Sequence, residues 1–241
     1  MYAIILQARL DSTRLPEKTM LPLGGRPLIL RVMEALNLVP ADLRILACSE
    51  DSAGVFTPLA AEACFELFPG PKDDVLKRYC LAVERFGIQQ VIRATGDNPF
   101  VFTDAATAIN AEALALHADY AGYNGIPAGA GVESVSATAL LRADIEADEP
   151  FEREHVCPYL YSRPNDFLVH RPLAPLRWQN WSAPQPRSAP QPLAIRLTVD
   201  TREDYERAQT LYTELDRQVN AGLPRDERYR GATIISAYRG I

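Results

Sequence analysis

The sequence predicts an α/β fold: a doubly wound, mostly parallel sheet with a small irregular β/α extension. Three observations carry this expectation. Short apolar runs alternate with segments of helical spacing through the first half of the chain. The first apolar run, residues 2–6, stops in a polar loop that holds Arg9, Arg14 and Lys18. Two later apolar runs each end on an acid, Asp97 and Asp200. Open α/β sheets bind ligands outside the carboxyl ends of their strands, so these groups stand where such a fold would place a site.

Taken in order, residues 2–7 form the first strand and residues 27–38 a helix with Leu28, Val32 and Leu36 inward and Pro27 in its first turn. Residues 44–48 give a second strand, 57–65 a helix and 65–68 a third strand. Pro69-Gly70-Pro71 makes a turn, and residues 72–86 a helix with Val75, Leu76, Tyr79 and Val83 inward. Residues 90–95 form the next strand and 104–116 the next helix. Alternation of this kind predicts parallel strands joined by helical crossovers.

The second half is less regular. Residues 120–123 and 132–135 form short strands around a Gly-rich turn at 125–131. Residues 152–161 are helical and 167–171 a strand. Six prolines and a doubled Ala-Pro-Gln-Pro exclude a helix or central strand over 172–192 and predict a loop or arm. A strand over 194–199, a helix over 202–219 and a last helix over 232–238 complete the chain. With no long repeat and no clean linker, residues 1–241 read as one domain, within which 120–192 is an irregular subregion.

The composition excludes several classes. A chain of 241 residues with 47% hydrophobic residues can bury roughly 70–75% of its unfolded surface and needs no staple. A net charge of −6 argues against nucleic-acid binding by bulk attraction, so any anion site is a local basic cluster. Cys48, Cys64, Cys80 and Cys157 are far apart and form no CxxC pair, which predicts buried free thiols rather than a zinc or redox site. The amino terminus has no basic n-region and no apolar run approaches membrane-spanning length, which predicts a soluble cytoplasmic protein with no membrane partner.

The basic loop carries no GxxxxGK[ST] and no GxGxxG pattern. Its cations repel one another, and a triphosphate would offset that repulsion; a solvated surface loop is the alternative. Asp97, in Arg93-Ala-Thr-Gly-Asp-Asn-Pro99, emerges at a strand end, unless it caps the next helix. Asp200, in Arg196-Leu-Thr-Val-Asp-Thr-Arg-Glu-Asp-Tyr205, emerges likewise, with Asp200 or Thr201 as cap the competing role. A doubly wound sheet would bring both acids to the basic loop, and two carboxylates with phosphate oxygens suit Mg²⁺. The combination predicts nucleotidyl or phosphoryl transfer. Trp178 and Trp181 either stack on a ligand or anchor the Pro-rich stretch or a subunit contact.

Five blocks in order resemble the cytidylyltransferase family related to 3-deoxy-manno-octulosonate and acylneuraminate cytidylyltransferases, in its spore-coat polysaccharide branch. They are Ile5-Leu-Gln-Ala-Arg-Leu-Asp-Ser-Thr-Arg-Leu-Pro-Glu-Lys18, Lys72-Asp-Asp-Val-Leu-Lys-Arg-Tyr79, Ala94-Thr-Gly-Asp-Asn-Pro99, Glu152-Arg-Glu-His-Val-Cys-Pro-Tyr159 and Arg196 to Tyr205. The resemblance implies a Rossmann-like sheet of the nucleotide-diphospho-sugar transferase type. It implies CTP and a sugar acid as substrates, Mg²⁺ as cofactor, a CMP-sugar and pyrophosphate as products, and a homodimer. Arg9, Arg14, Lys18 and Ser12 would bind the triphosphate, and the strand end at Leu6–Ala8 would meet the pyrimidine through backbone groups. Asp97 and Asp200 would hold Mg²⁺, and Glu133, Glu154 and His155 would face the sugar. Asp11 and Glu17 stand where the family usually has Gly, and Gly131 where it more often has Asp. Carboxylates pointing into a triphosphate loop would weaken binding, which makes a catalytically weak nucleotide-binding subunit the rival reading.

Overall fold

The computed structural model describes residues 1–179 and 194–241. The first half contains β1 (Tyr2–Ala8), a ribbon of β2 (Pro22–Leu23) and β3 (Arg26–Pro27), and α1 (Leu28–Leu36). It continues with β4 (Leu43–Ser49), α2 (Ala53–Glu62), β5 (Glu66–Gly70), α3 (Val75–Phe86), β6 (Gln90–Thr95) and α4 (Thr103–Leu116). The second half holds β7 (Tyr120–Ala121), β8 (Glu133–Ser136), α5 (Ala137–Glu146), α6 (Pro150–His155), α7 (Pro158–Tyr161) and β9 (Val169–His170). Helices α8 (Arg202–Asn220) and α9 (Gly231–Arg239) close the chain.

The main sheet runs β5-β4-β1-β6-β8-β7-β9. Strands β5, β4, β1 and β6 are parallel, β8 is antiparallel to both its neighbours, and β9 is parallel to β7. Each face carries its own core. Ile4 and Leu6 of β1 pack toward α1, α4 and α8, while Ala3 and Ile5 pack toward α3 and α5. Burial on both faces is why the first strand reads as a continuous apolar run. The chain winds from β1 through α1 and α2 to β5, then returns through α3 to β6 on the other side of β1. The strand order therefore reverses between β1 and β6, and a crevice opens at their carboxyl ends.

Several expectations are corrected. Pro27 precedes α1 with extended ψ and belongs to β3 rather than to the first helical turn. Helix α2 spans Ala53–Glu62, not 57–65, with Pro58 inside it. An unexpected helix, α5, begins at a Ser136 cap that accepts from the Ala139 amide. The single helix expected over 152–161 is two, α6 and α7, because Pro158 cannot continue a helix. Residues 194–199 do not join the sheet as a strand; a lone bridge pairs Ala128 with Arg196. Cys64 is exposed, unlike the other three cysteines. Burial pushes the Cys48 thiol up to about 11 and Cys80 to about 12. Trp178 is an anchor: its Nε1 donates to Asp104 and its ring lies against Tyr123. Trp181 and most of the Pro-rich segment lie outside the described residues.

Candidate active site

A cleft of about 410 Å³ lies at the carboxyl ends of β1 and β6. Its first wall is the loop after β1. The Leu10 carbonyl accepts from the Ser12 and Glu17 amides, and Leu15 is buried beneath, so the loop folds back on itself. Glu17 takes φ +50° and a single 3₁₀ turn follows, which sends the Lys18 side chain inward. That left-handed conformation is what Gly supplies most cheaply, and it accounts for Gly at this position in the family pattern.

The second wall is the turn after β6. The Gly96 amide donates to the Gln7 carbonyl at 2.8 Å. A Cβ at position 96 would meet Ile29 at 2.8 Å and the Gln7 oxygen at 3.2 Å, so only glycine lets this turn lie on the end of β1. Asn98 closes the turn on Thr95 through its amide and its side chain, which leaves the Asp97 carboxylate free to face the cleft.

Asp200 arrives by a different route. The segment before it is clamped by Leu197 N–H on Ala128 O at 2.7 Å and Val199 N–H on Asp97 O at 2.9 Å. Gly129, at φ +86°, permits the crossing, because a Cβ there would sit 2.3 Å from the Thr198 nitrogen. Thr201 takes the helix cap of α8 with Asp204 in a capping box, and Asp204 also accepts from the Asp200 amide. Asp200 is thereby released from the capping role that competed for it.

The two acids meet at one ammonium. Lys18 Nζ donates to Asp97 Oδ2 at 2.6 Å and to Asp200 Oδ1 at 2.9 Å, with Lys18 only 8% exposed. Arg14 approaches Asp200 at 3.3 Å, and Arg196 pairs with it at 2.6 Å. Burial would raise the Asp200 carboxyl, but Lys18, Arg14 and Arg196 outweigh it and hold the group below its ordinary value.

The remaining expected residues sort by position. Ala8, Arg9 and Ser12 line the cleft with Arg14 and Lys18, as do Glu154 and His155 from α6. Arg9 and Glu154 pair at 3.4 Å. The Leu6 side chain is fully buried in the core, and Gln7 lines the cleft beside Ala8. Glu133 stands in an adjoining cavity of about 340 Å³ that shares Arg93, Thr95, Asn98 and Gly129 with the cleft. There it accepts from Arg93 and, at 2.8 Å, from the Tyr120 hydroxyl. Burial would lower the Arg93 guanidinium, but Glu133 holds it above its ordinary value. Gly131 lines the same adjoining cavity. Gln7, Arg78, Arg93 and Asn98 are cleft residues that sequence reasoning missed. Arg78 is almost fully buried, its guanidinium on the Pro71 and Lys72 carbonyls.

Asp11 and Glu17, which motivated the inactive reading, do not line the cleft. Asp11 pairs with Lys72 at 3.4 Å and borders a neighbouring groove, and Glu17 is exposed. Among the described residues no group of three or more His, Cys, Asp or Glu is arranged to hold a metal ion. A pair of carboxylates converging on one cation is nevertheless a donor set that fits Mg²⁺, which uses one or two protein carboxylates and takes the rest from phosphates and water.

The sequence model described as Cytidylyltransferase matches residues 3–225. The chain belongs to the cytidylyltransferase family. It is 33% identical over 215 residues to the spore coat polysaccharide biosynthesis protein SpsF of Bacillus subtilis (strain 168), covering 86% of this chain and 85% of that protein. A cytidylyltransferase structure from Leptospira borgpetersenii superposes with a TM-score of 0.79 at 22% identity, over 99% of this chain and 94% of that one. The CMP:2-keto-3-deoxy-manno-octonic acid synthetase complexed with CTP gives 0.65 at 13% identity, over 88% and 98%. At these identities the two structures speak for the fold, which matches the sheet expected from the sequence. As a member of this family the protein is a nucleotidyltransferase.

Proposed function

We propose that this cytidylyltransferase transfers CMP from CTP to a hydroxyl of a sugar acid, releasing pyrophosphate, with Mg²⁺ held by Asp97 and Asp200. The observation that carries the reading is the convergence of those two acids, from separate segments, on Lys18 beside a basic loop. In the reaction the sugar hydroxyl attacks the α-phosphorus, and the bond from that phosphorus to the bridging oxygen breaks. Bound Mg²⁺ would supply charge neutralisation and orient the phosphate oxygens. Arg9, Arg14 and Lys18 meet the negative charge that develops and departs with pyrophosphate. No protein nucleophile is required.

The adjoining cavity is assigned to the acceptor. It opens on the cleft through Thr95, Asn98 and Gly129, so an acceptor there would lie next to the phosphates. Arg93 balances Glu133, and Arg171 on the same wall adds positive charge that suits an acid. The product would serve surface polysaccharide or glycoconjugate synthesis. Among the described residues no helix is long and apolar enough to cross a membrane. A cytoplasmic homodimer belongs to the same reading, with exposed Leu168, Leu173 and Leu176 beside the edge strand β9 as an apolar face for a second copy.

The test is pyrophosphate release with CTP, Mg²⁺ and a panel of sugar acids. Release with at least one acid, exceeding that with UTP, GTP or ATP, and an Asp97→Ala rate reduced at least about 100-fold, is the expected result. CTP binding without release across the panel, or release undiminished in Asp97→Ala, would contradict it.

A further inference from the structure

The junction between α6 and α7 contains a backbone conformation that needs an explanation. Val156 has φ +72° and ψ −58°, and the Cys157 amide donates to the His155 carbonyl at 2.9 Å. Together these make a γ-turn of the rare, positive-φ hand. The residue at its centre is β-branched and fully buried, the side-chain type that this region of backbone space tolerates least. Pro158 requires the helix to break nearby, but it does not require a break of this kind. Strained backbone persists only where the surroundings over-determine it, and such places cluster at functional sites.

What the turn achieves is visible on either side of it. Upstream, Glu154 and His155 line the cleft, and Arg9 pairs with Glu154. Downstream, Cys157 is fully buried, and its thiol is a neighbour of Glu133, which lines the acceptor cavity. The surroundings that hold it are equally specific. Arg153 ties α6 to Asp74, the cap of α3, and to Asp144 of α5. Glu152 accepts from the Val156 amide through its carbonyl and from Arg163 through its carboxylate at 2.7 Å. The Val156 side chain joins the core of α3 and α5. A relaxed break would still satisfy Pro158, but it would swing the preceding residues relative to Cys157.

We propose that Val156 is a positioning residue of the acceptor side, and that its strained turn holds Glu154 and His155 at the mouth of the cleft while keeping Cys157 beside Glu133. This rests on the assignment of the adjoining cavity to a sugar acid. It is tested by Val156→Gly beside Val156→Ala. Both remove the buried side chain, but only glycine adopts positive φ without strain. At an ordinary position glycine is the less stable of the two. Here Val156→Gly is expected to melt at or above Val156→Ala. With the panel acid that the wild type uses, Val156→Ala, which is driven to relax the turn, is expected to raise the acceptor KM about tenfold with kcat within about twofold, and Val156→Gly, which keeps the turn, to raise it less.

Val156→Gly melting below Val156→Ala would overturn the strain, and an acceptor KM unchanged in Val156→Ala would overturn the positioning role. A wild type that turns over no acid of the panel would overturn the substrate reading and this one with it; unchanged KM in an active variant overturns this one alone.

Discussion

Lys18 places one positive charge where two carboxylates converge, and removing it leaves them facing each other. The carboxylates are partly hydrated, and Arg14 and Arg196 remain beside Asp200. The loss in Lys18→Met is therefore expected below the full range for a broken buried pair, at about 2–3 kcal/mol by urea unfolding. Millimolar Mg²⁺ should recover part of that loss and raise the variant's melting temperature more than the wild type's. A variant as stable as the wild type would show that the ammonium does not hold the pair. At Glu17 the sign is opposite. The side chain is exposed and the backbone left-handed, so Glu17→Gly should gain about 1 kcal/mol, read as a rise in urea midpoint. The residues legible in the sequence were those whose charge stood out at strand ends: Arg9, Arg14, Lys18, Asp97 and Asp200. Arg78 and Gln7 were not legible, because an arginine on a helix face or a glutamine in a strand has no local mark of facing a cleft.

At the scale of elements, the segment from 194 to 200 shows how sequence pattern and structure part. Its alternation suits a strand, but its place is set by two backbone hydrogen bonds and by Gly129, which lie far off in sequence. Gly129→Ala combines a backbone collision with positive φ. It should cost about 3 kcal/mol and disturb Asp200, seen as weakened metal-dependent CTP binding by calorimetry. An alanine variant with wild-type stability would refute that crossing. Local chemistry allows either Asp200 or Thr201 as the α8 cap. The capping box assigns it to Thr201. Thr201→Ala should lose about 1 kcal/mol while Asp200 keeps its contacts. Helix α5 escaped the reading because its strand-to-helix change occurs without a loop, and only Ser136 marks the start.

For the whole molecule, the parallel core β5-β4-β1-β6 was legible because doubly buried strands are continuously apolar and their crossovers are helical. The antiparallel insertion of β8 was not, since a four-residue strand after a Gly-rich turn does not encode its direction. An acidic chain that concentrates cations in one cleft also has a definite response to acid. Asp144, Asp200 and Asp204 are all held below the ordinary carboxylate value of 3.8: burial opposes ionisation in each, but Lys77, Lys18 and backbone amides respectively lead the groups that outweigh it. Groups ionised more easily when folded stabilise the native state fully above that value, and the contribution is lost as pH falls through their lowered folded values. Urea midpoints should thus fall steeply below about pH 4, and Asp144→Asn should flatten the fall. Equal midpoints at pH 5 and pH 3 would contradict this.

The proposed site holds its metal at Asp97 and Asp200. Crystals soaked with CTP and Mn²⁺, measured at the manganese absorption edge, test it most directly. An anomalous peak is expected beside the Asp97 and Asp200 carboxylates, with Lys18 turned from them to the phosphates. A nucleotide bound with manganese away from both acids, or with Lys18 still between them, would contradict it.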